Sequence, residues 1–408
     1  RRGFSGGNGT LNTVVEKQYS ACGPLYAMEN TMPNYAKASV HPSELRESQD
    51  DQTGAHIYQL TNDTSINHNL YFLTSSFTPD QGHLIFTSYR SGTPNFFKLE
   101  FPSGDIVQLT DADDIHGYSG VISKDGTELF YTQADAIKAI HLDALEERVL
   151  SEFPGGGLGE CSVSADERYI VTAMKRDDKS HITVTATDGS GGEVIYTSPD
   201  QTIIHPQFHP KHPDLIAYSG DPAPRMWTIK RDGTENRSLY QHDNNEFLVH
   251  ETFLGALDEL IVTHWPYALR RMSLETLQMQ TIADFNAWHI ASNRDGTKVL
   301  CDTVHPDIGL RLVDVETGEH TPICYPQSSS SGSQWETARY ALAEDWAAAQ
   351  QSGDREKALS WMEMKVDTVY GPQWTHPHPS FSPDETAVVY TSDVSGHSQV
   401  YVAVIPSV

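Results

Sequence analysis

Seven times along the chain a short turn rich in Pro, Asp, Gly or Asn runs into an apolar stretch: residues 77–88 (FTPDQGHLIFTS), 122–132, 163–173, 208–219, 253–264, 292–303 and 381–392 (FSPDETAVVYTS). Most copies lie roughly 37–48 residues apart, and a second strand-like run and another turn follow each one. Four short strands per repeat with Asp/Gly turns is the pattern of a β-propeller blade. The expected fold is therefore all-β, a seven-bladed propeller over residues 51–408. A ring must close or leave an unpaired sheet edge. The last copy ends too soon to supply its own fourth strand, whereas GAHIYQLTND (54–63) resembles the outer strand GDIVQLTDAD (104–113) yet precedes the first blade. Residues near 55–61 are thus expected to complete blade seven, which leaves residues 1–50 as an N-terminal extension outside the ring. One segment breaks the repeat. Between blades six and seven, Trp335, Ala338, Leu342, Trp346 and Ala349 recur at helical spacing, so an amphipathic helical insertion is expected at about 333–365, as flank packing or as a wall beside the site.

The bulk properties narrow the function. At 408 residues and 38% hydrophobic, the chain can bury one large core or two ordinary ones, and no run approaches the roughly 20 apolar residues of a membrane helix. With 28 basic against 55 acidic residues and a net charge of -27, it would repel nucleic acid and anionic membranes over most of its surface. An anionic substrate would need its cations concentrated locally. Cys22, Cys161, Cys301 and Cys324 form no C-x-x-C pair and no disulfide framework. The Gly/Ser/Asn-rich start at Arg1 reads as a trimmed end, so a periplasmic or secreted location is expected, with a cytoplasmic one left open. The oligomeric state has no signal in the sequence.

Chemistry should converge where the innermost strands of a propeller begin, beside the channel. Those positions hold His68 (INHNLYF), His116 (IHGYSG), His205 (IIHPQF), His250 (LVHETF), His289 (AWHIAS), and Gln373, His376 and His378 (QWTHPHP). A lone histidine there is more often a satisfied core residue, but the shared register favours a common site. His289 ends blade six and the other three open blade seven. In an extended segment His376 and His378 project to the same side, so three imidazoles and one amide oxygen would suit a divalent ion such as Mn, Ni or Zn. Arg225 adds a permanent cation with a planar fork, and His250 a group that accepts a proton near neutrality. Metal, arginine and neutral histidine together suit β-elimination from a uronic acid, whereas hydrolysis needs paired carboxyls, and no Asp/Glu pair stands out at the channel. G-x-S-x-G, H-E-x-x-H and glycine-rich phosphate-loop signatures are missing.

The segments THPHPSFSPDETAVVYTSDVSG, PRMWTIKRDGTE, LVHETF and HIASNRDGT resemble oligogalacturonate lyases, seven-bladed propeller enzymes of pectin breakdown. The resemblance implies manganese held by His289, Gln373, His376 and His378, with Arg225 at the substrate and His250 as base, and a uronate-containing oligo- or polysaccharide as substrate. Related lyases acting on ulvan or rhamnose-glucuronate polymers use a blade-two histidine and a blade-four tyrosine. His116 stands where such a histidine would, so the base is either His250 or His116, but Phe208 stands where the tyrosine would. His68, Asn69, His205 and Tyr118 are assigned to substrate binding. The reading from another class is a non-catalytic TolB-like propeller that binds a partner at its channel face.

Overall fold

The computed structural model describes residues 35–243, 245–330 and 372–406, and the expected helical insertion at 333–365 lies outside the described residues. The described chain is all-β apart from one 3-10 turn at Gln373–Thr375. The described residues form seven antiparallel sheets. The first six follow one another in chain order with four sequential strands each, the first gaining a fifth from residues 40–41, and the seventh joins three sequential C-terminal strands to two strands from residues 46–59. The innermost strands, blades one to seven, are Asn67–Asn69, Val121–Ile122, Gly157–Val163, Thr202–Phe208, Leu248–Phe253, Ala287–Ser292 and Ser380–Phe381.

The period-2 pattern of each apolar run is what lets one sheet serve two neighbours, because alternate side chains leave opposite faces. In the blade-seven strand Ala387–Ser392, Ala387 and Val389 pack with Leu84, Phe86, Phe97 and Leu99 of blade one. Val388 and Tyr390 face the other way, onto Leu300, Leu310 and Ile323 of blade six. The core is thus a ring of interblade layers around a channel.

His56–Gln59 closes blade seven by pairing with Gln399–Val404, as Ile57↔Ala403 to Gln59↔Tyr401. The chain just before it does not stay outside the sheets, as the extension over residues 1–50 would have it. Arg46–Gln49 adds an outer strand to blade seven, and Val40–His41 pairs with Ile106–Gln108 of blade one, because both outermost strands offer unpaired backbone edges. Glu44, between these two strands, accepts from Arg90 Nη1 at 2.8 Å and from the Asn62 N–H at 2.6 Å. The Arg90 guanidinium is buried and lies 5.2 Å from the centre of the Phe97 ring. Removing its carboxylate leaves a buried cation uncompensated, which costs on the order of 3 kcal/mol. Thermal denaturation of Glu44→Ala should therefore show a midpoint several degrees lower, and Glu44→Gln should recover part of the loss.

Candidate metal and catalytic centre

In blades three to six the innermost strand carries a one-residue register shift against its neighbour, a bulge in which two residues face one. The bulged pairs are Gly159-Glu160, His205-Pro206, His250-Glu251 and Trp288-His289. A bulge re-aims a side chain that the regular pleat would send into the interblade layer. His205 and His250 sit at φ +50 and +60, and His378, between two prolines, at φ +44. A non-glycine residue in this left-handed region costs roughly 1–2 kcal/mol, so the surrounding packing holds these imidazoles against local preference.

The bulges bring the predicted residues together. The rings of His289 and His378 lie 4.0 Å apart, His289 and His376 5.6 Å, and His376 and His378 5.9 Å. Imidazoles sharing an ion sit with ring centres about 3.2 Å from it, hence about 4–6 Å from each other. Gln373 Oε1 lies 3.1 Å from His378 Nε2, which is also the separation of two neighbouring ligands each about 2.2 Å from one ion. His378 Nδ1 is buried and has no hydrogen-bond partner among the described residues. The approach differs from a plain extended His-Pro-His. His376 is extended, at φ -105, after the 3-10 turn, and the left-handed backbone at His378 turns its ring inward.

Asp302 organises this group. His289 donates from Nδ1 to Asp302 Oδ2 and from its backbone N–H to Oδ1, both at 2.7 Å, which leaves His289 Nε2 for an ion. Burial lifts the Asp302 carboxyl to about 7, opposed by backbone N–H groups of His289 and His378. A carboxylate behind a ligating histidine fixes its tautomer and raises its basicity. Burial also holds His289 and His378 well below the ordinary imidazole value, so both are neutral and keep their lone pairs.

A second group, His209, His212 and Asp258, also has ligand atoms within 4.8 Å of one another. It fits an ion poorly. His209 Nδ1 accepts the backbone N–H groups of Lys211 and His212 at 3.0 and 3.2 Å, so the proton stays on Nε2, which points at Leu257 O, 3.1 Å away.

The remaining predicted residues line the same channel. The His250 ring is 4.4 Å from His289 and 6.3 Å from His205. Its Nδ1 donates to Trp288 O at 2.7 Å, so Nε2 carries the lone pair, and burial keeps the ring neutral. His116 has the opposite tautomer: its Nδ1 accepts the Tyr118 N–H at 3.2 Å, and burial holds it down to about 3. His68 donates from Nδ1 to Asn69 O, stacks on Tyr118 at 4.1 Å and is held to about 4, again by burial. Asn69 is committed within the protein, donating to His378 O at 2.7 Å and accepting from Thr391 Oγ1 at 2.6 Å, so it anchors the backbone of His378.

Arg225 is buried and already engaged. Its Nη1 donates to both oxygens of Asp221 at 2.9 Å and its Nε to Glu251 Oε1 at 2.8 Å. A buried acidic pair is thus present beside the channel after all, hidden because Asp221 ends a strand and Glu251 directly follows His250. Two further residues had no signal as channel positions. Tyr71 places its hydroxyl 2.9 Å from His205 Nε2. Phe72 plugs the channel, with its ring centre 5.2 Å from His289, 5.5 Å from His250 and 6.2 Å from His378. Beyond Phe72, towards the C-terminal ends of the innermost strands, lies a 380 Å³ cavity that none of these imidazoles lines.

The family model described as oligogalacturonate lyase matches residues 35–186 and 182–408. An oligogalacturonide lyase of Pectobacterium atrosepticum is 24% identical, over 91% of this chain and 98% of its own. An oligogalacturonate lyase of Dickeya dadantii is also 24% identical, over 88% and 95%. Among solved structures, an oligogalacturonate lyase in complex with manganese superposes with a TM-score of 0.75 at 23% identity, covering 91% of this chain and 99% of that one. An oligogalacturonate lyase from Vibrio parahaemolyticus gives 0.73 at 21% identity, with the same coverage. The two family matches together span nearly the whole described propeller, and the chain belongs to the oligogalacturonate lyase family.

Proposed function

We propose that the protein cleaves oligogalacturonides by β-elimination, with a divalent ion, manganese by preference, held by His289, Gln373, His376 and His378. The observation that carries this reading is the neutral imidazole and amide cluster backed by Asp302, at distances that suit one ion with borderline-hard ligands. The manganese bound to a similar lyase is consistent with that ligand set. When bound, such an ion polarises the uronate carboxylate and so acidifies the C5 proton beside it.

The chain's own residues do the rest. His250 Nε2, neutral and with its lone pair free of the Trp288 carbonyl, accepts the C5 proton. The electron pair left behind forms the C4=C5 double bond, the C4–O bond breaks, and the departing oxygen is protonated. Arg225, fixed by Asp221 and Glu251, places a cation whose field also depresses His250 and His205, so it stabilises negative charge developing on that side of the channel. Tyr71 and His205 form a polar wall towards the substrate, and Phe72 closes the floor against water from the cavity beneath. Galacturonate oligomers incubated with manganese-loaded protein should develop the ultraviolet absorbance of an unsaturated uronate end. Its absence with galacturonate, ulvan and glucuronan oligomers alike would overturn the lyase reading.

A further inference from the structure

The face of the ring that carries Arg225 continues outward into a surface that the proton-transfer chemistry does not use. Arg225 lies in the turn between strands Leu215–Asp221 and Met226–Lys230 of blade four. The matching turn of blade five, between Glu259–His264 and Ala268–Ser273, carries Tyr267, and the loop joining the two blades carries His242 and Glu246. Both turns and the loop stand at the ends where the innermost strands begin, so they share one face.

The Arg225 backbone N–H donates to His242 Nε2 at 3.0 Å. Burial and the neighbouring Arg270 hold the His264 imidazole below its ordinary value, and its ring lies 5.1 Å from that of Tyr267, whose N–H closes the turn onto His264 O at 2.7 Å. Tyr267 is 63% exposed and is the single aromatic among the strongly exposed large apolar side chains of the described residues. Beside it, Arg270 gives Nη1 to Glu246 at 2.6 Å, while its Nε and Nη2 have no acceptor among the described residues. His264 Nδ1 is buried with no hydrogen-bond partner there.

An exposed ring next to unengaged donors is the composition of a carbohydrate platform: the ring face takes the C–H face of a sugar, and the donors take its hydroxyl and carboxylate oxygens. In a chain with a net charge of -27, a polyanion needs such local donors to lie along the surface at all. We propose that Tyr267 and Arg270 form an outer subsite for a uronate residue beyond the two that flank the broken bond, and so set a preference for longer oligomers. This rests on the lyase reading for its substrate class.

The test compares galacturonate dimer, trimer and tetramer. For Tyr267→Ala, the KM should rise about tenfold for the trimer, the tetramer or both, with kcat and dimer kinetics unchanged, while Tyr267→Phe behaves as wild type. Arg270→Gln should raise the same KM values. Equal effects on every length, or no effect on any, would overturn the subsite. Should wild type cleave no uronate oligomer, the lyase reading fails separately. Calorimetric titration of wild type with the tetramer then decides the subsite: binding weakened about tenfold by Tyr267→Ala supports it, and unaltered or undetectable binding rejects it.

Discussion

Protein carrying His376→Ala together with His378→Ala should purify without its divalent ion and turn over oligogalacturonides at least about 10³-fold more slowly, whereas wild type should carry about one ion per chain. Both rings are fully buried in the channel, outside the interblade layers, so their loss should empty the site without dissolving the core. Elemental analysis checks occupancy, and circular dichroism checks the fold. Asp302→Asn sharpens the test. The amide keeps the shape but removes the negative charge that His289 Nδ1 and two backbone N–H groups address, and carboxylates in that position are worth about 10–100-fold in metal affinity. Graded recovery of Asp302→Asn by added manganese, with no recovery of the double variant, is the expected pattern. An ion that remains in the double variant would move the metal elsewhere, and the His209, His212 and Asp258 group would then need testing despite the backbone bonds that occupy His209.

The seven repeats and the strand that closes blade seven were legible because turn residues and two-residue alternation act locally, and a ring admits one closing strand. Four of the channel histidines were legible for the same reason, since His205, His250, His289 and His378 each stand three residues before their repeat. The rest was written in departures from the repeat. At the eleventh position of the twelve-residue repeats in blades one, five and seven stand Thr87, Thr263 and Thr391, and the hydroxyl of each hooks the next blade at or just ahead of its innermost strand, bonding Gly117 O, Trp288 O and Asn69 Oδ1. Blade six has Asp302 at that position, a lone carboxylate in the apolar run KVLCDT. That substitution signals an acid turned towards the channel, and it is visible once the copies are aligned. Tyr71 and Phe72 could not be placed this way. They lie in the longer connection from Asn69 to Phe77, whose path through the channel depends on the whole ring being assembled. The Asp221–Arg225–Glu251 cluster was equally hidden, because its three members come from a strand end, a turn and a bulge.

His250→Ala should lower turnover by on the order of 10²–10⁴ and leave substrate binding nearly intact, while His116→Ala should cost less than about tenfold. Both histidines are buried and neutral, so occupancy of the neutral form does not separate them. Their tautomers do. His250 gives its Nδ1 proton to Trp288 O, a carbonyl that also accepts from Thr263 Oγ1, and so aims an unprotonated Nε2 away from the backbone. His116 accepts the Tyr118 N–H at Nδ1, which leaves the proton on Nε2 and makes that nitrogen a donor. A base must present a lone pair to the C5 proton, and a ring whose lone pair is bound to its own backbone cannot do so without breaking that bond. Position favours the same choice. The His250 ring lies 4.4 Å from His289, next to the centre that would hold the carboxylate, whereas His116 stands with His68 and Tyr118 on the blade-one and blade-two side. Single-turnover measurements on metal-loaded variants separate loss of proton transfer from loss of the ion. If His116→Ala abolishes elimination while metal-loaded His250→Ala retains it, proton abstraction occurs on the blade-two side, and the base assignment to His250 is wrong.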